Sequence, residues 1–212
     1  MIIVCISDTH MRHNVDIPHG DVLVHAGDFS INASIGDIDG FAEWFGSFPH
    51  KHKVFVPGNH DWCFQDHEEY SKSILNAYGI VTLINESTTI DGVKFYGTPY
   101  QPIFYDWAFN LPPKKLVVEY EKIPKDTVVL ITHTPPFMQR DVVKNPMGAN
   151  VGCPILSNRV LIIKPKVHIF GHIHESYGVS SNKNTTFINA SLVNLQYKRV
   201  NEPIIFILEE NT

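Results

Sequence analysis

The 212-residue sequence predicts an α/β protein in which two mixed β-sheets pack face to face and helices cover their outer surfaces. Three patterns predict this fold class. Short apolar segments alternate with segments of helical spacing over the first 80 residues, as in a parallel sheet. Several β-type segments then follow one another, as in a mixed or antiparallel sheet. Ligand-type polar residues directly follow five of the apolar segments.

The first part of the chain contains short apolar segments without alternation, which indicates strands that are buried on both faces. Amphipathic spacing predicts helices between them, and Gly79 suits the position after a helix C-terminus. The predicted strands span residues 2–6, 22–25 and 53–56, and the predicted helices span 38–48 and 68–78.

The remainder of the chain is dominated by β-type segments. Asp91-Gly92 joins two of them and is a strong hairpin signal. Residues 99–113 contain four prolines and five aromatic residues, which predicts a long aromatic loop with a functional role. Since no repeat or linker divides the chain, we expect one domain over residues 1–212. The predicted strands span 80–83, 87–90, 93–96, 128–132, 167–170, 185–189 and 203–208, and one helix spans 155–163.

The formal net charge of −5 is unevenly distributed. Residues 1–106 hold 5 Lys/Arg and 14 Asp/Glu, whereas residues 107–212 hold 12 and 8, so the two halves carry −9 and +4. Several acids of the first half are candidate ligands, and bound cations would offset part of their charge. No dense run of Lys or Arg appears, which argues against an extended nucleic-acid surface.

The three cysteines, at positions 5, 63 and 153, are odd in number and widely separated, which argues against a disulfide framework or a zinc finger. Reduced thiols are typical of cytoplasmic proteins. Residues 1–6 are too short for the apolar region of a signal peptide, and no apolar stretch approaches 18 residues. We therefore expect a cytoplasmic protein without a membrane span.

Seven residues of metal-ligand type follow the ends of five predicted strands. In open parallel sheets, ligands bind at the carboxyl ends of strands. Carboxylate, imidazole and carboxamide groups suit Mn, Fe, Zn or Mg, and the absence of cysteine disfavours a structural zinc site. Two metals about 3.5–4 Å apart need roughly eight ligand contacts, which seven residues supply if one carboxylate bridges. The seven residues are Asp8, His10, Asp28, Asn59, His133, His172 and His174.

A two-metal site predicts phosphoester hydrolysis, in which water activated between the metals attacks phosphorus and the metals offset charge in the transition state. The leaving group then needs a proton. His60 lies beside Asn59 in the sequence and is the candidate donor. Asp61 has two interpretations of equal weight: it orients the His60 imidazole, or it caps a helix.

Three further residues are candidates for substrate binding. Arg140 could bind a phosphate through its planar guanidinium, with a surface salt bridge as the alternative. His13 is a candidate for the mouth of the site. If the substrate carries a nucleobase, Tyr105, Trp107 and Phe109 are stacking candidates, with packing of the aromatic loop as the alternative.

The histidines outside the ligand series have simpler interpretations. His25 and His168 lie within apolar strands, so we expect hydrogen-bonded core residues. His19, His50, His52 and His67 are expected to be solvated. Cys153 is expected to be buried rather than reactive.

The ordered motifs ISDTH, GD, GNHD, THTPP and FGHIH resemble those of the calcineurin-like metallophosphoesterase superfamily. The segments FYGTPYQPIFYDWAFNLP, VGCPIL and INAS are similar in particular to the metallophosphoesterase-domain-containing (fetal-brain type) group and to related class III cyclic-nucleotide phosphodiesterases. The resemblance implies a four-layer αββα sandwich and a dinuclear metal centre.

The resemblance also implies the role of each ligand. Asp8, His10 and His174 would bind one metal, Asn59, His133 and His172 the other, and Asp28 would bridge, with His60 as the catalytic histidine. Some members of the narrower group carry glycine at the first histidine of the GHxH motif and are weak enzymes. This chain has His172 at that position, so the defect is not expected here.

The leading functional hypothesis is a phosphodiesterase that uses two divalent metal ions, with manganese favoured, on small phosphodiesters such as 2′,3′- or 3′,5′-cyclic nucleotides. One alternative is a phosphomonoesterase or protein phosphatase, a class that often places extra arginines near the metals, for which Arg12 and Arg140 are the candidates. Another is a weakly active nucleotide-binding regulator. The sequence patterns do not distinguish a monomer from an oligomer.

Overall fold

A computed structural model describes residues 1–144 and 148–209 of the chain. Its first sheet has the strand order β13-β1-β2-β3-β4. The pairs β1–β2, β2–β3 and β3–β4 are parallel, as predicted, and only β13 runs antiparallel, at the edge next to β1. The strands are β1 (Ile2–Ile6), β2 (Val22–His25), β3 (His52–Phe55), β4 (Ile80–Thr82) and β13 (Ile204–Ile207).

The second sheet has the strand order β11-β12-β10-β9-β6-β5. Its four central strands are parallel and its two edge strands antiparallel, so the predicted mixed sheet is confirmed. The β5–β6 hairpin turns at Asp91 and Gly92, whose positive φ values of 45° and 82° match a two-residue hairpin turn. The strands are β5 (Glu86–Ile90), β6 (Val93–Thr98), β9 (Val129–Thr132), β10 (Val167–Phe170), β11 (Gly178–Ser181) and β12 (Thr186–Asn189).

A shared apolar core joins the two sheets. Because side chains alternate along a strand, Ile3 and Cys5 of β1 enter this core, whereas Val4 and Ile6 face the helices on the other side. Val129 and other residues of the second sheet complete the inter-sheet layer. Burial of both faces explains why β1 is a continuous apolar run without alternation.

Helices form the two outer layers. The helices α1 (Ile35–Gly46), α2 (Trp62–Asp66) and α3 (Glu68–Ala77) cover the first sheet, where Phe41, Phe45 and Phe64 pack on β2 and β3. The helices α4 (Pro113–Glu121) and α5 (Pro154–Ile163) cover the second sheet. The result is the predicted four-layer αββα sandwich of two mixed sheets.

The segment after β6 differs from the predicted long loop. It contains the short parallel strands β7 (Gln101–Pro102) and β8 (Asn110–Leu111), and Pro113 begins α4, which the sequence analysis did not predict. Proline suits the first helical position because its missing N–H is not needed there. Leu116 and Tyr120, four residues apart, bury one face of this helix.

The carboxyl ends of β1, β2 and β3 in one sheet, and of β9 and β10 in the other, lie at a common border of the sandwich. Gly171 follows β10 and lies close to the carboxylate of Asp8, which follows β1. The two sheets therefore meet at this border. Within the described residues, no helix is long and apolar enough to span a bilayer.

Candidate metal centre

Two groups of ligand-type side chains face each other at the border where the two sheets meet. The side chains of Asp8, His10 and His174 form one group, and those of Asp28, His133 and His172 form the other. Within each group, one ligand atom per residue lies within 4.8 Å of the others. The structure therefore brings six of the seven predicted ligands into two metal-sized clusters, and the seventh, Asn59, contacts the second.

Short connections with left-handed backbone conformations direct these side chains inward. Asp8, His10, Asp28 and His172 have φ values of 53°, 42°, 58° and 68°. Residues other than glycine rarely adopt this region, and each instance costs on the order of 1–3 kcal/mol. Four strained ligand residues in one cluster indicate that the fold holds this geometry against a local preference for extended or helical backbone.

Two glycines allow the ligand loops to touch. A Cβ atom at Gly27, where φ is 99°, would lie 2.6 Å from Nδ1 of His133. A Cβ atom at Gly171 would collide with the Asp8 carboxylate. Glycine at these positions is therefore required by close approach and not only by the turn.

In the first group, backbone carbonyls fix the histidine rings. His10 donates its Nδ1–H to the carbonyl of Ser30 at 2.8 Å, and His174 donates its Nδ1–H to the carbonyl of Asn194 at 3.2 Å. A carbonyl only accepts, so both rings present unprotonated Nε2 atoms when neutral. These two Nε2 atoms lie 3.3 Å apart, and Nε2 of His174 lies 3.3 Å from Oδ1 of Asp8.

The second group has the same design. His133 donates its Nδ1–H to the carbonyl of Ala26 at 2.9 Å. Its Nε2 lies 3.0 Å from Oδ1 of Asn59 and 3.2 Å from Oδ2 of Asp28. The Nδ2 atom of Asn59 is buried and has no hydrogen-bond partner among the described residues. The carboxamide oxygen lies beside His133 of the second group, where it could serve as a further metal ligand.

Asp28 reaches both groups. Its Oδ2 lies 3.2 Å from Nε2 of His133 in the second group and 3.8 Å from Nε2 of His10 in the first. The Asp28 side chain is 2% exposed, so this charge is removed from water. A carboxylate between two ligand clusters is the arrangement that a bridging ligand requires.

The electrostatics of the cluster favour bound cations. Burial alone would raise the pKa values of Asp8 and Asp28, but the neighbouring histidines lower both below the usual range. Burial alone would lower the pKa of His133, but the charge and hydrogen bond of Asp28 raise it to about 9. Burial lowers the pKa of His172 to about 3. The buried carboxylates thus hold a negative charge that needs compensation by protons or metal ions.

This donor set fits two divalent cations. Each group offers a carboxylate oxygen together with imidazole nitrogens, which is chemistry suited to Mn, Fe, Zn or Mg. Three of the rings carry the outer hydrogen bond to a carbonyl that metal-binding histidines usually make. Neither group includes a cysteine, and the three cysteines are buried and free.

His60 and Trp107 border the ligand cluster. His60 donates its Nδ1–H to the carbonyl of Ile31 at 2.6 Å, and its Nε2 lies 3.9 Å from Oδ2 of Asp28. The Trp107 ring lies 5.1 Å from the His60 ring and 6.1 Å from the His172 ring, measured between centroids. The backbone N–H of Ala108 donates to the carbonyl of Asn59, which ties the Trp107 segment to the ligand loop.

The two predicted roles of Asp61 need correction. Asp61 neither hydrogen-bonds to the His60 imidazole, which is held by Ile31, nor caps α2 with its side chain. Its carboxylate instead accepts the backbone N–H groups of Asp28, Gly58 and Phe29 at 2.8, 2.7 and 3.2 Å. Asp61 is therefore a positioning residue that joins the loops following β2 and β3.

The structure shows the surroundings of two predicted substrate contacts. The guanidinium of Arg140 donates to the carbonyl of Val179 and lies against Gly178. It forms no salt bridge with the described residues, so that alternative is wrong, and its binding of a substrate phosphate stays a prediction. His13 stacks on Trp44 with ring centroids 4.2 Å apart and an interplanar angle of 6°. Burial lowers the pKa of His13 to about 4, so this ring is an uncharged part of the packing on α1.

One expectation about packing is wrong and four are confirmed. His50 is 4% exposed although it was expected to be solvated. Phe109 is 3% exposed and packs in the core, which confirms the packing alternative for this residue. His25 and His168 are buried and hydrogen-bonded to Thr9 and Thr132, and Cys153 is buried, as expected.

Sequence reasoning missed two residues that position the ligands. Ser191 donates its hydroxyl to Oδ2 of Asp8 at 2.6 Å. Asn189 donates its Nδ2 to the carbonyls of Ile173 and Gly171 at 2.8 and 3.4 Å, on either side of His172. Both residues belong to the INAS segment, whose position at the end of β12 was the available signal.

The αββα sandwich and the paired ligand groups at its border define a class of metal-dependent phosphoric ester hydrolases. Comparison with known proteins identifies the family. The model of the calcineurin-like phosphoesterase family matches residues 1–176, and the chain belongs to this family.

Curated relatives cover nearly the whole chain. Human metallophosphoesterase domain-containing protein 1 is 37% identical over 231 residues, covering 97% of this chain and 70% of the relative. The Caenorhabditis elegans UPF0046 protein K07C11.7 is 41% identical over 224 residues, covering 99% of this chain and 76% of the relative. These identities place the chain in the metallophosphoesterase domain-containing group.

Solved structures share the fold at low sequence identity. The structure of TT1561 from Thermus thermophilus has a TM-score of 0.63 at 12% identity, over 89% of this chain and 88% of that one. A further crystal structure has a TM-score of 0.69 at 17% identity, over 89% of each chain. At these identities the likeness supports the architecture alone.

Proposed function

We propose that this protein is a phosphodiesterase that hydrolyses small phosphodiesters, such as 2′,3′- or 3′,5′-cyclic nucleotides, with two divalent metal ions. The single observation that carries the proposal is the position of Asp28 between the two ligand groups, 3.8 Å from His10 and 3.2 Å from His133. In this proposal, Asp8, His10 and His174 would hold one ion, Asn59, His133 and His172 would hold the other, and Asp28 would bind both. Manganese is the ion we favour.

When bound, the two ions supply Lewis acidity at the phosphoryl group and an activated water nucleophile. The residues of the chain then position and protect this chemistry. The Asp28 carboxylate sets the spacing between the two groups, and the backbone carbonyls behind His10, His133 and His174 fix the direction of their Nε2 atoms. Burial of the cluster keeps bulk water from competing with these ligands.

His60 is the proposed proton donor to the leaving alkoxide. Because its Nδ1–H is held by the Ile31 carbonyl, its Nε2 is the atom that faces the cluster, 3.9 Å from the Asp28 carboxylate. The His60 side chain is 16% exposed, so it stands at the open rim of the site where a leaving group would depart. A protonated His60 can donate from Nε2 without moving the ring.

The contacts of the two arginines are consistent with the diester proposal. A phosphomonoester dianion carries more charge than a diester, and extra guanidinium groups would compensate for it. Arg12 donates its Nε–H to the carbonyl of Tyr197, and Arg140 donates to that of Val179. Each of the two arginines considered for the monoesterase alternative thus uses one N–H group on a backbone carbonyl, which leaves fewer donors for a phosphomonoester.

The intact ligand series favours an enzyme over a weakly active regulator. His172 lies in the second ligand group with Asp28 and His133. The buried, free cysteines are consistent with the cytoplasmic location that we propose.

A substrate panel tests the proposal. The metal-free protein is loaded with Mn²⁺ or Mg²⁺ and assayed with bis-p-nitrophenyl phosphate, p-nitrophenyl phosphate and the two kinds of cyclic nucleotide. We expect higher kcat/KM for the diesters, with Mn²⁺ more effective than Mg²⁺. Faster turnover of the monoester would support the phosphatase alternative, and absence of turnover of every ester would support the regulator.

A further inference from the structure

The helices that cover the second sheet expose several large aliphatic side chains on their outer side. On α4, Val117 and Val118 are 41% and 55% exposed, and on α5, Leu161 and Ile162 are 62% and 61% exposed. Apolar side chains that gather on one surface commonly mark an interaction site. We call the outer surface of residues 113–125 and 154–166, which comprise the two helices and the residues after them, the helical outer face.

The two helices form one surface. The buried sides of α4 and α5 belong to a single apolar cluster, and the helices contact each other. The guanidinium of Arg159 on α5 donates to the carbonyls of Glu121 and Ile123, so the last turns of α5 lie beside the end of α4. Leu161 and Ile162 follow directly after Arg159. The aliphatic side chains of both helices therefore lie on one side of the molecule.

The helical outer face is also a basic part of an acidic protein. Residues 113–125 hold 4 Lys/Arg and 2 Asp/Glu, and residues 154–166 hold 3 and 0, so this surface carries +5 whereas the whole chain carries −5. The surface thus accounts for the positive charge of the second half of the chain. Five of its lysines are exposed and form no salt bridge with the described residues. These are Lys114, Lys115, Lys125, Lys164 and Lys166.

We propose that the helical outer face docks on an anionic lipid bilayer. Its aliphatic side chains enter the headgroup region, and its lysines contact the anionic headgroups. Lysine stems can lie along apolar surface while the ammonium groups stay at the charged level of the bilayer. Burial of aliphatic groups and attraction of cations to an anionic leaflet both favour such an association. This peripheral contact requires no spanning helix and does not depend on the proposed phosphodiesterase activity.

The chemistry of the surface disfavours other occupants. Protein interfaces are depleted in lysine and rely on Trp, Tyr and Arg, whereas residues 113–125 and 154–166, all of which the structure describes, expose no aromatic side chain. A second copy would bring two surfaces of +5 together, and like charges oppose such a dimer. A nucleic acid would pair with the lysines but would gain nothing from the aliphatic side chains. An anionic bilayer uses both.

Vesicle binding is the first test. The full chain is sedimented with phosphatidylcholine vesicles that contain or lack phosphatidylserine. We expect binding only to vesicles with phosphatidylserine, and weaker binding at high salt, because exposed charges are screened. Failure to bind either kind of vesicle would overturn the inference. Equal binding to both kinds would also overturn it, since the lysines would then have no role.

A lysine variant tests whether this surface, rather than the charge of the whole protein, is responsible. Lys114→Gln combined with Lys115→Gln should weaken binding by about fivefold for each lysine, and thus by about thirtyfold. The control combines Lys183→Gln with Lys198→Gln, which changes the net charge equally at exposed lysines outside the helical outer face. Equal losses in the two variants would contradict the docking surface.

An aliphatic variant tests insertion. Leu161→Ser combined with Ile162→Ser should weaken binding by at least about tenfold, because two side chains no longer leave water. The control combines Ile205→Ser with Ile207→Ser, which are 50% and 64% exposed on β13. Circular dichroism verifies that the variants remain folded. If only the lysine variant loses affinity, the surface binds polyanions in general and the inference fails.

A fluorescent label reports the position of the surface in wild-type packing. The three native cysteines are buried, so an environment-sensitive fluorophore reacts selectively with an exposed cysteine introduced by Ile162→Cys. We expect its emission to shift to shorter wavelength with phosphatidylserine vesicles, and the emission of the same label on Ile205→Cys to stay unchanged. Equal shifts at the two positions, or a shift at Ile205→Cys alone, would overturn the assignment. The measurement needs neither metal ions nor turnover, so its failure is distinct from failure of the proposed function.

Discussion

At the scale of single residues, the site depends on which partner each polar atom has. Three of the four ligand histidines, His10, His133 and His174, donate outward to backbone carbonyls, so their other ring nitrogens face inward. The Oδ2 atom of Asp28 is buried and lies within 4 Å of three histidine rings. Asp28 is therefore the side chain whose removal changes the electrostatics of both ligand groups.

We predict that Asp28→Ala abolishes activity and metal loading, because the variant removes the carboxylate that, in the proposed function, would bind both ions. Metal content per chain, measured by elemental analysis after loading with Mn²⁺, tests this directly. The exposed residue Asp16 supplies the control variant Asp16→Ala, which should retain two ions. Retention of two ions per chain by Asp28→Ala would contradict the bridging assignment.

His60→Ala has a different expected result. His60 lies at the rim of the site and belongs to neither ligand group, so its removal should leave the metals in place. The kcat value should fall by about 10²–10⁴-fold, as for loss of a general acid. The decrease in kcat should be smaller for a substrate with a better leaving group, because that leaving group depends less on protonation. An unchanged kcat would remove His60 from the mechanism.

At the scale of elements, the connections after the strands determine the geometry of the site. The Asp61 carboxylate joins the loop after β2 to the loop after β3 through three backbone N–H groups. At the end of β12, Ser191 donates to the Asp8 carboxylate, and Asn189 donates to two carbonyls of the loop after β10. Each contact links different segments of the chain, so the ligands are positioned by tertiary structure.

We predict that Asp61→Asn destabilises the fold, since a carboxamide has only one acceptor oxygen and leaves at least one buried N–H group without a partner. The expected loss in the free energy of unfolding is about 1–3 kcal/mol. Urea unfolding of the metal-free protein measures it, with the exposed Asp66→Asn as the control. Equal unfolding midpoints for Asp61→Asn and wild type would show that the loops are held by other contacts.

The elements also show what sequence reasoning could and could not reach. Strands such as β1 and β10 were predictable because their apolar runs end abruptly at ligand residues. The helix α4 was missed because Pro112 and Pro113 suggested a loop, although proline at a helix start is favourable. The roles of Asp61 and Arg140 depend on partners at residues 28 and 179, and spacing along the chain carries no information about such contacts.

At the scale of the whole molecule, one apolar layer between the sheets and two beneath the helices bury several titratable groups outside the metal centre. Burial lowers the pKa of His168 to about 3 and that of His13 to about 4. Both rings are therefore neutral in the folded protein near neutral pH, whereas a histidine in the unfolded chain titrates near about 6.5. The fold thus excludes protons that the unfolded chain would bind.

The sign of the resulting pH dependence follows from proton binding. Below about pH 6.5 the unfolded chain takes up a proton at His13 that the folded protein accepts only near pH 4. The stability associated with the neutral ring is fully present above about pH 6.5 and decreases as the pH falls from there toward 4.

We predict that His13→Phe, which preserves the stack on Trp44, removes this decrease. The variant should therefore gain stability relative to wild type between about pH 8 and pH 5. Urea unfolding of wild type and His13→Phe at about pH 8 and pH 5 gives the difference in their free energies of unfolding at each pH. Contributions of groups that the two proteins share cancel in this difference. An equal difference in stability at both pH values would show that the His13 proton affinity does not change on folding.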